Sequence, residues 1–217
     1  MLTLLLTRHG HTTRSEPDQY LGQRVAAPLS ERGRADAQRL AERLDGVPLE
    51  RILTSPLERA LETARILAAG RGIAVEPDDR LMERDYGAWE GMTIEQIQAR
   101  FPSEFERYEH DPSTFDIGGA ESGNEVAARL RAFFDDLHGW WQSAAAQDRT
   151  VVVVGHASLN RVMLAQLMGT PLRDYRRRWE ADWASLSVLR WESVAEGPKL
   201  LLANDVAHLR GTRGATW

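Results

Sequence analysis

Two histidines stand directly behind short apolar runs: His9 after Leu2, Leu4, Leu5 and Leu6, and His156 after the run at 151–154. Arg8 precedes the first, and Arg59 lies in the opening turn of the helical pattern that follows Ser55 and Pro56. Gathered in one crevice, two imidazoles and two guanidiniums make a cationic hole of anion size. Phosphoryl transfer suits such a hole, because guanidinium forks pair bidentately with phosphate oxygens and preorganised donors stabilise the charge that spreads over them. A neutral imidazole attacks phosphorus through one ring nitrogen when the other is held as a donor, giving a covalent phosphohistidine that water later cleaves. No metal ion is needed for that sequence of steps, so no cofactor is expected.

The elements that would position these residues follow from periodicity. Residues 2–6 form a compact apolar run that fits a strand buried on both faces. Ser30 caps a helix with Ala37, Leu40, Ala41 and Leu44 on one face, and Gly46 ends it. Residues 52–54 predict a second strand, followed by a helix from about Pro56 with Leu57, Ala60, Leu61, Ala64 and Leu67 inward. A third short strand is expected at 73–75. Between 80 and 121 the pattern breaks into short amphipathic pieces, Thr93 and Gln96 forming a capping box, and this stretch is expected to be an insertion over the site. A long helix then starts at Ser122, capped with Glu125, with Val126, Leu130, Phe133, Phe134, Leu137 and Trp141 on one face. The run at 151–154 is the clearest buried strand, a helix ending near Gly169 follows, and further strands are expected around Leu186 to Val188 and at 200–202. The polar C-terminus is expected to be disordered.

Strands alternating with helices predict an α/β fold: a three-layer sandwich with a mostly parallel central sheet, helices on both faces and a small helical cap insertion. Ligands of such sheets lie beyond the carboxyl ends of the strands, where Arg8, His9 and His156 all fall. The expected organisation is one domain over 1–217, with the cap at about 80–121.

The motifs themselves resemble those of the histidine phosphatase superfamily, also called phosphoglycerate-mutase-like. Thr7-Arg8-His9-Gly10-His11-Thr12 is similar to its signature, and Pro28-Leu29-Ser30-Glu31-Arg32-Gly33 to the motif opening its first helix. Thr54-Ser55-Pro56-Leu57 with Arg59-Ala60, then Glu83 with Tyr86-Gly87 and Trp89-Glu90-Gly91, then Gly119 with Glu121-Ser122, and finally Val154-Gly155-His156-Ala157, continue in family order. The resemblance implies that His9 is the nucleophile, that Arg8, Arg59 and His156 bind the transferred phosphoryl group, and that Glu83 protonates the leaving oxygen. Glu90 and Glu121 compete for that last role, and Glu83 is preferred because the family pattern aligns there. Thr12, Ser15, Gln23 and Ala157 are expected to bind substrate. Two departures stand out: the family often has Glu or Gln at His11 and Asn at Ser15, where the shorter side chain would reach phosphate through water. The loop at Gly22 and Gln23 is one residue longer than common.

The same resemblance ranks the possible activities. Residues 94–122 lack the paired Arg and Pro-rich segment with which mutases of the family grip a three-carbon carboxylate, so hydrolysis of a phosphomonoester of a small metabolite leads. A cofactor-dependent phosphoglycerate mutase is the alternative, and a non-catalytic module that binds a phosphorylated ligand ranks below both.

Composition bounds the remaining choices. A chain of 217 residues with 42% hydrophobic and 27% charged residues is an ordinary globular one. A net charge of -5 disfavours nucleic acid and anionic membrane as partners. The basic run Arg176, Arg177 and Arg178 is expected to be a solvated helix face. With no cysteine, thiolate sites are excluded, and His9 with His11 lacks the carboxylates that would complete a metal site. The apolar run at 2–6 is too short for a signal core, so a cytoplasmic protein is expected, with a homodimer among the assemblies left open. His110, His138 and His208 are expected to be structural. The seven Trp are expected in the core or an interface, except that Trp89 is a candidate for lining the crevice.

Overall fold

A computed structural model describes residues 1–116, 119–143 and 148–209. The C-terminal tail expected to be disordered lies outside them. Six strands form one sheet in the order β3-β2-β4-β1-β5-β6. They are β1 (Leu2–Arg8), β2 (Arg51–Thr54), β3 (Val75–Pro77), β4 (Arg149–Gly155), β5 (Leu186–Trp191) and β6 (Pro198–Asp205). The first four run parallel, β5 is antiparallel to β1, and β6 is antiparallel to β5.

The apolar run of β1 is continuous because both faces of the sheet are covered. Leu2, Leu4 and Leu6 pack with Val151 and Val153 beneath α5 (Gly123–Gln142) and α6 (Ala157–Leu167). Leu5 turns the other way, joining Ile52, Val152 and Val154 beneath α1 (Glu31–Arg43) and α2 (Glu58–Ala68). The expected three layers are therefore present. Helix starts follow the polar caps: Ser30 accepts from the Gly33 amide, and Ser122 with Glu125 closes a capping box.

The third strand forms two residues later than periodicity predicts. Gly70 and Gly72, at φ of +74° and +68°, carry the chain around after α2, and pairing of Val75 with Ile52 sets the register. Pro77 is tolerated because β3 is an edge strand.

The stretch after β3 holds short helices, including α3 (Ile94–Arg100) and α4 (Pro102–His110), around an aromatic cluster of its own. Tyr86, Trp89, Ile97, Tyr108 and Phe115 are its buried members. Trp89 is fully buried there, which corrects its expected place on the crevice wall: the large ring is the centre of this small core. The fully buried Arg84 ties the loops together, donating to the carbonyls of Glu121 (2.5 Å), Pro112 (3.0 Å) and Phe115 and to the Tyr175 hydroxyl (3.2 Å). No described helix is long and apolar enough to cross a membrane.

Candidate active site

The parallel register of β1 and β4 creates the site. Arg8 lies opposite Gly155, so the next residue on each strand, His9 and His156, leaves the sheet side by side. Their rings stand 5.1 Å apart, edge to face. One strand further over, Thr54 lies opposite Val154, and the chain leads from there into α2, whose first turn carries Arg59. These four side chains belong to elements remote in sequence and meet at the carboxyl ends of three parallel strands.

His9 is buried, and its Nδ1 lies 2.7 Å from the Gly10 carbonyl. A carbonyl only accepts, so Nδ1 carries the hydrogen and Nε2 keeps its lone pair. Burial, then the positive charges of Arg59 and Arg8, hold the imidazole pKa well below its ordinary value, so His9 is neutral. His156 is fully buried with no protein partner at either ring nitrogen, and burial followed by Arg59 depresses its pKa as well.

The guanidiniums are held by backbone. Arg8 donates to the Ala181 carbonyl at 2.8 Å and lies 4.8 Å from the Trp183 ring centroid, and burial pulls its pKa down to about 10. Arg59 donates to the Gly22 carbonyl at 2.6 Å. Gly22 sits at φ +53°, and a Cβ there would fall 1.9 Å from Glu90 Oε1, so no other residue fits without displacing the Glu90 clamp.

Glu83 reaches the same cavity from the segment after β3. Its Oε1 accepts from the amides of Arg84 (2.8 Å) and Leu159 (3.0 Å), and its Oε2 from Ser158 (3.2 Å). Two of those donors open α6, which makes Glu83 a carboxylate seated on a helix N-terminus. Three accepted bonds leave one of its roughly four acceptor positions for a ligand. The two competing acids are engaged elsewhere. Glu90 accepts from the amides of Gln23, Arg24 and Tyr86, and Glu121 pairs with Arg129.

The structure gathers Arg8, His9, Ser15, Arg59, Glu83 and Ala157 on one cavity of about 310 Å³. That volume lies at the small end of the roughly 300–1,000 Å³ usual for small-molecule sites. His156, Thr12 and Gln23 are not on its wall, and His156 is fully buried against the ring of His9. Thr12 is buried against Ser15 (3.0 Å between the hydroxyls), and the Gln23 amide is spent on the Glu83 carbonyl (2.7 Å), so it braces the acid. His11 is bonded to Ser30 Oγ (2.8 Å) and packs its ring against Trp183. His110, His138 and His208 lie away from the cavity.

Sequence reasoning missed several wall residues, among them Asp18, Tyr20, Arg161, Arg176 and Trp183. Arg176 is a correction: its side chain is only 21% exposed, stacked over Tyr108 and paired with Glu109. The basic run is thus split: Arg177 and Arg178 are exposed, whereas Arg176 turns inward. The only signal in the sequence was the run itself, which carries no information on facing.

Comparison with known proteins agrees with this arrangement. Residues 4–206 match the profile of the histidine phosphatase superfamily (branch 1). The chain is 33% identical over 212 residues to phosphoserine phosphatase 1 of Hydrogenobacter thermophilus, covering 96% of this chain and 95% of that one. It is 34% identical over 190 residues to glucosyl-3-phosphoglycerate phosphatase of Mycobacterium tuberculosis, covering 85% and 84%. Among solved structures, Bacillus stearothermophilus YhfR superposes with a TM-score of 0.86 at 30% identity, over 97% of this chain and 100% of that one. By profile, sequence and fold, the chain belongs to the histidine phosphatase superfamily.

Proposed function

We propose that this chain hydrolyses a phosphomonoester of a small metabolite through a phosphohistidine on His9, with no metal ion in the chemical steps. The observation that carries the proposal is the His9 imidazole: buried, neutral, with Nδ1 committed to Gly10 and Nε2 free, near the buried Arg59 and the half-buried Arg8. Relatives named for phosphoserine and for glucosyl-3-phosphoglycerate support the substrate class. The small cavity supports it too.

In the first step Nε2 forms the N–P bond as the P–O bond to the leaving group breaks, and Glu83 in its acid form delivers a proton to the departing oxygen. Arg8, Arg59 and His156 hold the three equatorial oxygens, an electrostatic role that a preorganised dry site makes strong. Water then attacks phosphorus, the N–P electron pair returns to Nε2, and the water proton passes to Glu83. Both residues end as they began. Ser15 and Ala157 line the cavity and are assigned to substrate binding in this reading, while Thr12 and Gln23 serve the substrate indirectly, through Ser15 and Glu83. One domain over 1–217, a cap at 80–121 and a cytoplasmic location are parts of the same reading.

The test is turnover of p-nitrophenyl phosphate in the presence of a chelator. Wild type turns over with its rate unchanged by chelation, and His9→Ala loses activity together with an acid-labile, base-stable phosphoenzyme. Equal turnover by wild type and His9→Ala overturns the proposal. Isomerisation of 3-phosphoglycerate with 2,3-bisphosphoglycerate faster than phosphate release would put the mutase first.

A further inference from the structure

Phosphoryl transfer as proposed above uses Arg8, Arg59 and the two imidazoles. The cavity nonetheless carries two more guanidiniums, Arg161 from α6 and Arg176 from α7 (Tyr175–Arg178). An alcohol as leaving group has no use for either. Each is 21% exposed and anchored on its outer side by an exposed glutamate: Arg161 donates to Glu180 at 2.8 Å, and Arg176 pairs with Glu109. Ion pairs with exposed partners contribute little to stability, so folding alone is a weak account of them. Arg161 Nε is buried with no protein partner. Arg176 lies 4.4 Å from the Tyr108 ring centroid and donates to the Tyr20 hydroxyl at 3.4 Å, which sets its plane.

We infer that Arg161 and Arg176 form a subsite for a carboxylate on the leaving group, so that the substrate is a phosphorylated small acid. This rests on the hydrolase reading above. A guanidinium fork matches the two oxygens of a carboxylate, and each of these arginines has already satisfied part of its donor set on the outside. Asp18 and Glu95 also line the cavity, and their negative charge disfavours a second phosphate dianion there more than it disfavours a singly charged carboxylate. The subsite comes from α6 and α7, not from residues 94–122, where no adjacent arginines occur.

Matched substrates test it. O-phosphoserine against O-phosphoethanolamine, and 3-phosphoglycerate against glycerol 3-phosphate, differ at the carboxylate. The wild-type enzyme is expected to favour the carboxylated member of each pair by about tenfold or more in kcat/KM, equal to about 1.4 kcal/mol. Arg161→Met and Arg176→Met each lower that ratio at least about threefold, and together they bring it close to one. Because Arg176→Met also removes packing on Tyr108, Arg176→Lys is made alongside: it retains the charge without the fork and gives an intermediate ratio, with melting curves checking that each variant is folded. The inference is overturned by a wild-type ratio near one, or by a ratio that survives in the folded double variant. Calorimetric binding of 3-phosphoglycerate and glycerol 3-phosphate to His9→Ala separates the two proposals. If wild type hydrolyses no ester, the hydrolase reading fails, and the binding ratio still decides the subsite by the same criteria.

Discussion

The imidazole of His156 stands edge-on to that of His9, with ring centroids 5.1 Å apart and planes inclined by 60°. Both are buried, and both are held neutral by burial and by the guanidinium of Arg59. A pair of neutral imidazoles facing two arginines is a site waiting for negative charge, and its consequences can be measured.

Stability against pH is the first. In the unfolded chain both imidazoles titrate near 6.5, and in the folded chain well below it. Between those values the unfolded chain binds more protons, so stability rises with pH and levels off above about 6.5. It falls as the solution is acidified from there, by up to about 1.4 kcal/mol per pH unit for each histidine. Urea unfolding from pH 7 to pH 5 should show a shallower loss in His156→Gln than in wild type. Identical slopes would remove His156 from this account.

Glu83→Gln should slow release of poor leaving groups by about 10²- to 10⁴-fold while affecting p-nitrophenolate far less, because only the poor leaving group needs a proton in the first step. The amide also sets an NH₂ against an N–H donor: with Oε1 on Arg84 and Leu159, the new nitrogen faces the Ser158 amide. A stability loss of about 1–3 kcal/mol accompanies it. A uniform rate loss across leaving groups would assign Glu83 a purely structural role.

Gly33→Ala tests how tightly the His9 loop is seated on α1. A Cβ at Gly33 would lie 1.9 Å from the His11 carbonyl oxygen, and one at Gly10 only 2.5 Å from the Gly33 carbonyl oxygen. The two backbones touch, and neither can yield without moving His9. Expected are a loss of about 1–3 kcal/mol and roughly a hundredfold fall in kcat/KM for an ångström of displacement. Gln38→Ala, on the exposed side of the same helix, should leave both within error.

Arg84→Met should unlock the segment above the site. It strands the carbonyls of Pro112, Glu121 and Phe115 and the Tyr175 hydroxyl, at about 1–3 kcal/mol for each group left buried without a partner. Limited proteolysis should cut first between residues 101 and 116, before the sheet unfolds. Cleavage starting elsewhere would contradict the role given to Arg84.

Much of this was legible from residue order. The apolar runs of β1 and β4, the polar caps at Ser30, Thr93 and Ser122, and the Arg-His pair at a strand end each follow from local physics that acts within a few residues. Those determined the α/β class, most element boundaries and the phosphoryl-binding character of the site. Register and facing were another matter. That Arg8 pairs with Gly155, and so sets His9 beside His156, depends on strands far apart in the chain. Gln23 turned to the Glu83 carbonyl because the Glu90 carboxylate clamps its loop, Trp89 became a core residue because the rings of Tyr20, Phe105, Tyr108 and Phe115 pack against it, and Arg176 swung onto Tyr108 instead of into solvent. Local periodicity tells which side chains are buried, whereas what they are buried against is chosen by contacts between elements, and the walls of the cavity beyond the phosphoryl position are made of such contacts.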